Sequence, residues 1–376
     1  MVTLVVLTFF GGWGYLAARF GQITKFHIHL ADSGAGKPFN VLVVGSDSRA
    51  GLTGEMAAQA GADQFVGGQR SDVTMIWHVD PATKSVQIVS IPRDTLVQLT
   101  ASPKLADTYG KMNRINTAFD AGPEGLAKVI TANFGIQINH VAQINFAGFA
   151  ASVDALGGVR LNFPYPARDA FSGLNITQTG CQLLNGTQAL AVARSRHYEY
   201  YAHGYWQGDG SSDFGRITRQ GAFLRSMVNN AKSQANPVKL NAFLGSIPQG
   251  LIIDDKFSLK ELVNLGLDFR HIDPNTIGTQ TMPTDYKGYV SPWGDVLFAQ
   301  QPASYEMLLS MFGNTLVRPT TPAPNQDLQI IQPSSLTTTT TAPPTTTKPK
   351  GGKAPSTTGT TTTTAPPPPS FDPTPC

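Results

Sequence analysis

The stretch NVLVVG, residues Asn40–Gly45, is an uninterrupted apolar run. A strand with one face in water alternates apolar and polar residues, so an unbroken run predicts a strand covered on both faces. Two further strand segments follow, DVTMIWHVD and SVQIVSIPRD, joined at DPATKS, whose Asp-Pro pair is a turn signal. The chain is therefore expected to build a sheet that other elements cover on both sides.

Helical spacing alternates with these strands. In GPEGLAKVITANF, four apolar residues fall on one side of a helix: Leu126, Val129, Ile130 and Phe134. The segment NFAGFAASVDALGG has the same spacing, and SLKELVNLGL opens with a Ser258–Glu261 capping box. Strands that alternate with helices indicate a layered α/β domain. The first two apolar stripes fit either a packed core or the walls of a lipid groove.

The two ends of the chain differ in composition from its middle. The 17 residues Val2–Ala18 carry no charge, and about 17 is the shortest length that spans a bilayer. No small-residue cleavage site follows them. Near Arg318 the composition changes to Thr and Pro, which cannot form a core. We expect a membrane anchor over residues 1–20, a membrane-proximal linker over 21–37, a catalytic domain over 38–317 and a disordered tail over 318–376.

Charge and cysteine content exclude several classes of protein. A net charge of +3 over 376 residues, without a basic stripe or helix-turn-helix pattern, argues against a nucleic-acid binder. Only two cysteines occur, Cys181 and Cys376, which argues against a disulfide framework and a cysteine zinc site. We expect Cys181 to be a small, buried apolar residue.

Charged side chains collect at the predicted open end of the strand hairpin. A regular register around Ala82 and Thr83 places Asp72 opposite Arg93, at about 5 Å across the ladder. Arg70 lies beside that pair. If strand 40–45 runs parallel to the third strand, its loop brings Asp47 to the same edge, where ligands of α/β sheets usually bind.

A second group of arginines follows in ALAVARSRHYEYYAHGYWQGDGSSDFGRITRQ. Arg194 and Arg196 are two residues apart and would share one face of a strand. Arg216 and Gln220 are neighbours on a helix whose first turn, beginning near Asp213, favours an anion. Arginine binds phosphate in bidentate fashion, and Mg²⁺ is often held by one or two carboxylates plus substrate phosphates. Together the two groups suggest a Mg²⁺-assisted diphosphate site.

Each residue also has a simpler interpretation. Asp47 could cap a turn, and Asp72 with Arg93 could form a structural ion pair. Arg219 is expected on the solvated side of its helix, and His197 is expected to be a packing residue.

Taken together, these segments resemble the LytR–CpsA–Psr family of cell-wall ligases. The resemblance rests on NVLVVGSDSR, RSDVTMIWHVD, VSIPRDT, RINTAF, QINFAGFAASVDALGGVRL, LLNGTQALAVARSR and DFGRITRQ, which occur in family order. It implies a three-layer αβα sandwich with a central mixed sheet and an apolar cavity that holds a polyprenyl chain. The implied activity is Mg²⁺-dependent transfer of a glycopolymer from polyprenyl diphosphate to peptidoglycan, with polyprenyl diphosphate hydrolysis as a side reaction.

The resemblance also implies roles for individual residues. Asp47 and Asp72 correspond to the metal-binding carboxylates, and Asp47, Asp72 and Arg93 to the catalytic residues. The diphosphate-binding positions are Arg70, Arg93, Arg114, Arg194, Arg196, Arg216 and Gln220. Lys111 competes with Arg114 for its position, and Asp47 or Asp94 could accept the proton of the attacking hydroxyl.

Two other functions remain open from the sequence. The same pocket could belong to a non-catalytic, membrane-anchored carrier of polyprenyl diphosphate. A transcriptional regulator would require a cytoplasmic domain, whereas the anchor and tail favour a single-pass protein of the cell membrane with its domain outside. The partners expected are the lipid-linked glycan, peptidoglycan and the membrane, but no nucleic acid.

Overall fold

A seven-stranded mixed sheet forms the centre of the molecule. The computed structural model describes residues 14–34, 36–46, 71–233, 237–269, 273, 277–321, 324 and 371–376. In their order across the sheet the strands are β1 (Thr24–Phe26), β14 (Leu251–Asp254), β7 (His140–Asn145), β2 (Phe39–Ser46), β3 (Ser71–Asp80), β4 (Ser85–Ser90) and β15 (Gly278–Thr281).

The strand predicted from the apolar run is β2, and both of its faces are covered. Leu42 and Val44, each fully buried, lie in one core, whereas Val41 lies in a second core on the opposite face. Neighbouring residues of a strand point to opposite faces, so an unbroken apolar run supplies both cores at once. The prediction of a doubly covered strand is confirmed.

One face of the sheet packs against the helices near the middle and the end of the domain. These are α1 (Pro103–Tyr109), a 3₁₀ helix (Ile115–Ala121), α2 (Gly122–Phe134) and α8 (Ala303–Phe312). Leu126, Val129, Ile130 and Phe134 of α2 all lie in this core, so the predicted helix and its buried side are confirmed. Its apolar stripe serves as core packing.

The opposite face is covered by a second set of helices. They are α5 (Ser212–Ser233), α6 (Pro237–Gly250) and α7 (Leu259–Phe269). The predicted capping box is present at the start of α7, because Glu261 accepts from the Ser258 backbone N–H at 2.9 Å and donates its own N–H to the Ser258 hydroxyl at 3.2 Å. Helices on both faces make the predicted three-layer α/β sandwich.

A smaller lobe adjoins the sheet and has its own core. Its helices are α3 (Phe146–Ala155) and α4 (Gly186–Arg194), and its strands are β8 (Val159–Phe163), β9 (Ala167–Asp169), β10 (Leu174–Ile176), β11 (Gly180–Leu184), β12 (Glu199–Ala202) and β13 (Tyr205–Gly208). Two short pairs complete the domain: β5 (Leu96–Gln98) with β6 (Met112–Arg114), and β16 (Thr284–Val290) with β17 (Gly294–Ala299).

Segments beyond both ends of the predicted domain, 38–317, contact the described fold. β1 pairs in parallel with β14, and Ile23 and Ile28 are buried, so the segment assigned to a linker belongs to the domain. Only three residues form β1, too few for a sequence pattern. At the other end, the N–H groups of Thr320 and Thr321 donate to the Ala132 carbonyl at 2.9 and 3.1 Å.

The last six residues correct the prediction of a disordered tail. Residues Thr374–Pro375 form β18, which pairs antiparallel with β8. Cys376 forms a disulfide with Cys181 across 195 residues of sequence, and Cys181 lies on an exposed position of β11. Cys181 is therefore neither unpaired nor part of a core. Spacing alone gives no sign of this bond, because the partners meet only in the folded chain.

The predicted anchor falls largely outside the described residues, which begin at residue 14. Within those residues, no helix has the length and apolar character needed to cross a bilayer.

Removing the disulfide is expected to lower the free energy of unfolding. On the loop-entropy model, a bond closing a loop of this length stabilises the folded chain by up to about 5 kcal/mol. The double variant Cys181→Ser/Cys376→Ser should therefore unfold at lower urea concentration than the wild type. Wild type treated with dithiothreitol should match the variant. Identical midpoints for oxidised wild type and variant would contradict the assignment.

Candidate functional site: an arginine–aspartate cluster at the ends of the strands

The candidate site lies where the carboxyl ends of β2, β4 and β7 meet the amino end of β3. Ser46 at the end of β2 is in register with Asn145 at the end of β7 and with Ser71 at the start of β3. The β3–β4 register runs from Asp80 opposite Ser85 to Met75 opposite Ser90, and its continuation places Asp72 opposite Arg93. The sequence-based register of the hairpin is confirmed.

Asp72 is the carboxylate at the centre of the described cluster. Arg93 donates from Nη1 to Asp72 Oδ1 at 2.6 Å, and Arg216 donates from Nη2 to the Asp72 backbone carbonyl at 2.6 Å. Burial alone would raise the pKa of Asp72, but the charges of Arg216 and Arg93 outweigh it and hold the pKa below its ordinary value. Asp72 is therefore an anion at neutral pH.

Asp94 connects two of the predicted arginines. Its carboxylate lies 3.4 Å from Arg93 Nε and 3.5 Å from Arg114 Nε. Arg114 also donates from Nη2 to the Trp293 carbonyl at 2.6 Å, which fixes its stem against the β16–β17 pair. Arg114 thus lies in the cluster, whereas the exposed Lys111 has no ionic partner among the described contacts.

Asp213 connects two more of the predicted arginines, Arg196 and Arg216. Its Oδ1 lies 3.2 Å from Arg196 Nε and 2.9 Å from Arg216 Nη2. Asp213 was predicted near the start of the helix, without a part in the site. The spacing of three residues between Asp213 and Arg216 on α5 was the signal for this contact.

Arg194 lies at the end of a helix and Arg196 in the bend after it, so their placement on a strand is wrong. Arg196 reaches the cluster through Asp213. Arg194 is the last residue of α4, and its guanidinium lies over the Phe146 ring at 5.0 Å. Arg196 follows two residues later, outside any helix or strand. Gln220 donates from Nε2 to the Ala193 carbonyl at 2.9 Å, so its amide holds α5 against the end of α4.

Arg219 does not lie on a solvated helix face as expected. Its side chain is fully buried, and its Nη1 lies 2.8 Å from both Asp209 and Asp372. Asp372 of the C-terminal segment is one of its partners, and the sequence around α5 carries no sign of that contact.

The cluster has more cationic groups than carboxylates. Four arginines (93, 114, 196 and 216) and three aspartates (72, 94 and 213) leave a net charge of +1 among the described residues in contact there. The buried Nε atoms of Arg93, Arg196 and Arg216 make no hydrogen bond in the described structure, although Arg93 Nε lies 3.4 Å from Asp94 and Arg196 Nε lies 3.2 Å from Asp213. Buried donors without a hydrogen bond are costly, so this arrangement is suited to an anion with several oxygens.

Two predicted site residues, Asp47 and Arg70, lie outside the described residues. Within the described part of the chain, no group of three or more His, Cys, Asp or Glu side chains is arranged to hold a metal. Asp72 meets one requirement of a magnesium ligand, because its lowered pKa keeps the carboxylate ionised.

Comparison with known proteins identifies the family of this chain. The LytR_cpsA_psr family model matches residues 19–309. The chain belongs to the LytR–CpsA–Psr family. Its domain therefore extends over the match, and the sequence resemblance to this family is confirmed.

Curated relatives are named as cell-wall proteins. A probable cell wall biosynthesis protein, LcpB of Corynebacterium glutamicum, is 31% identical over 265 residues, covering 68% of this chain and 58% of the relative. TagU of Enterococcus faecalis, named a polyisoprenyl-teichoic acid–peptidoglycan teichoic acid transferase, is 29% identical over 62% of this chain and 66% of its own length. The chain thus spans somewhat more than half of the Corynebacterium relative.

Solved structures show the same fold. The LytR-Csp2A-Psr enzyme from Actinomyces oris has a TM-score of 0.61 at 23% identity, covering 80% of this chain and 97% of that one. Bacillus subtilis TagV has a TM-score of 0.56 at 22% identity, covering 75% and 98% respectively. At these identities the likeness establishes the α/β architecture alone.

Replacing Asp72 should change how stability depends on pH. A carboxylate whose folded pKa is lowered stabilises the protein fully above its ordinary pKa of 3.8, and this contribution is lost as pH falls through the folded value. Asp72→Asn should lower the free energy of unfolding by about 1–3 kcal/mol at pH 7, because charged partners lose their acceptor.

The difference between wild type and Asp72→Asn should shrink as pH falls from about 5 to about 2 in urea titrations. Asp107→Asn is the matched control, since Asp107 is exposed on α1. A difference that stays constant across this pH range would show that Asp72 has no lowered pKa.

Proposed function

We propose that this protein is a Mg²⁺-dependent phosphotransferase that attaches a polyprenyl-diphosphate-linked glycopolymer to peptidoglycan. The observation that carries the proposal is the cluster of arginines at the strand ends, in which three buried Nε donors form no hydrogen bond and Asp72 is ionised among them. A diphosphate supplies the charge and the acceptor oxygens that such a cluster requires. The transferase name of the Enterococcus relative supports the same reaction.

The lipid part of the donor is proposed to lie beside α5. A cleft of about 110 Å³ opens between α5 and strands β3, β4 and β15. Its apolar lining is Met75, Ile88, Ile217 and Leu224, and the rest is Arg225, Gly221 and polar side chains such as Ser90 and Thr279. The cleft and the arginine cluster share helix α5, so a lipid that enters here would keep its diphosphate on the side of the strand ends. Of the two helices that fitted a lipid groove, α2 places its apolar stripe in a packed core, whereas α3 contributes Val153 and the partly buried Phe149 to the core of the smaller lobe.

The proposed chemistry is displacement at the phosphorus that carries the glycan. A peptidoglycan sugar hydroxyl attacks this phosphorus, the bond to the bridging oxygen breaks, and polyprenyl monophosphate leaves with the bonding electrons. Arg93, Arg196 and Arg216 would bind the diphosphate oxygens and stabilise the charge that grows on the leaving phosphate. Attack by water in place of the sugar hydroxyl would give hydrolysis as a side reaction.

The metal requirement is part of the proposal. Asp72, together with Asp47, would hold Mg²⁺, whose role when bound is to neutralise charge on the diphosphate oxygens. The aspartates bind and orient, and the arginines position the donor. The proton of the attacking hydroxyl would pass to a carboxylate, with Asp94 the described candidate beside Arg93.

Arg93→Ala should abolish transfer while leaving the fold intact, because it removes the guanidinium that contacts both Asp72 and Asp94. The assay follows a radiolabelled glycan from polyprenyl diphosphate onto isolated peptidoglycan, with Mg²⁺ and with EDTA. A loss of at least about 100-fold is expected for the variant, as for other groups that stabilise a developing phosphate charge. EDTA should abolish wild-type transfer.

Arg160→Ala provides the matched control, because Arg160 is exposed on β8. Near-normal transfer by Arg93→Ala would overturn the proposed mechanism. Donor binding by wild type without any turnover, even with peptidoglycan present, would favour the carrier function instead.

We also propose that the protein spans the cell membrane once and exposes its domain outside. The uncharged segment Val2–Ala18 and the cell-wall names of the relatives support this topology. An epitope inserted in the Thr/Pro-rich region should be lost when protease is added to intact cells, while a cytoplasmic marker persists. Protection of the epitope would place the domain inside and favour a regulator.

A further inference from the structure

No helix or strand holds the backbone of Arg196, whereas Arg194 is part of helix α4. The position of Arg196 therefore depends on other contacts of its backbone. The neighbouring Ser195 donates its hydroxyl to Asp169 Oδ2 at 2.7 Å. The N–H groups of Arg196 and His197 donate to the same carboxylate oxygen at 3.0 and 2.9 Å. Asp169 thus holds this bend from the side of the smaller lobe.

The carbonyl of Ser195 is held from the opposite side by Arg219. Arg219 donates from Nη2 to this carbonyl at 3.0 Å. Its guanidinium lies over the Tyr198 ring at 4.4 Å and is fully buried. Arg219 is one turn beyond Arg216 on α5, so a single helix supplies one site arginine and the support for another.

Arg219 depends in turn on the C-terminal segment. Its Nη1 donates to Asp209 Oδ2 and to Asp372 Oδ1, both at 2.8 Å. A buried guanidinium requires carboxylates and hydrogen-bond acceptors around it, and Asp372 supplies one of them. The residue that completes this site is separated from Arg219 by 153 positions.

Three further contacts hold the C-terminal segment in the position in which Asp372 pairs with Arg219. The Phe371 ring stacks on Tyr200, with centroids 4.6 Å apart and the planes parallel to within 1°. β18 extends the sheet at β8, and the Cys181–Cys376 disulfide closes the end. Tyr200 lies between Arg196 and Arg216 in sequence, on the β12–β13 hairpin.

We propose that the C-terminal segment Phe371–Cys376 is a positioning element of the diphosphate site, acting through Asp372 and Arg219 on the backbone at Ser195 and hence on Arg196. The inference rests on the proposed function, because it concerns how that site binds its diphosphate. Arg219 and Asp372 touch no reacting atom. Their effect is to keep Arg196 beside Asp213 and Arg216 against the mutual repulsion of the guanidinium groups.

Two substitutions separate this role from folding. Arg219→Lys retains the charge that Asp209 and Asp372 require, but its single nitrogen cannot also reach the Ser195 carbonyl. Asp372→Ala leaves Arg219 paired with Asp209 and leaves the disulfide intact. Thr374→Ala is the control from the same segment, since Thr374 is exposed on β18.

The measurement is the Kd of the full chain for geranylgeranyl diphosphate with Mg²⁺, by calorimetry in detergent. Arg219→Lys and Asp372→Ala should each weaken binding about tenfold, and Thr374→Ala should not change it. The same substitutions are then combined with Arg196→Ala and, separately, with Arg93→Ala. In the Arg196→Ala background the effect of Asp372→Ala should fall to about twofold or less, whereas in the Arg93→Ala background it should remain near tenfold.

Each outcome decides between the proposals. No binding by the wild type would overturn the proposed function and this inference together. Wild-type binding that Arg219→Lys and Asp372→Ala leave unchanged would overturn this inference alone. An equal loss in both backgrounds would also overturn it, because a general loss of structure is independent of Arg196.

Discussion

Guanidinium groups repel one another, so several of them can share one edge of a sheet only where carboxylates lie between them. Asp72 and Asp94 stand beside Arg93, and Asp213 stands between Arg196 and Arg216. The carboxylates balance part of the charge and hold the guanidinium groups near their neighbours. What remains is a cluster with net positive charge in which the buried Nε atoms of Arg93, Arg196 and Arg216 form no hydrogen bond. We propose this cluster as a preorganised anion site.

The cluster draws its residues from both lobes of the molecule. Asp72, Arg93 and Arg114 come from the central sheet and the strands beside it, whereas Arg196 comes from the smaller lobe. Helix α5 joins the two, because its first turns carry both Asp213 and Arg216. A change in the packing of α5 would therefore move one half of the site relative to the other.

Much of the fold and part of the site could be predicted from local sequence patterns. The hairpin register requires only a turn and two strands, so Asp72 opposite Arg93 was predictable from a count of residues. Helix α2 and the capping box at Ser258 depend on neighbours within one or two turns. The strand assigned to Arg194 and Arg196 was wrong because spacing by two residues does not distinguish a strand from the end of a helix and the bend after it.

The sequence by itself determined the layered α/β fold, the family and most of the arginines at the site, because apolar periodicity and short motifs act over a few residues. Only the tertiary structure decided that Asp213 joins Arg196 to Arg216, that Asp169 and Arg219 hold Ser195, and that Asp372 pairs with Arg219. Asp372 meets Arg219 across 153 positions, and such a contact depends on how the lobes pack. No local pattern records that packing.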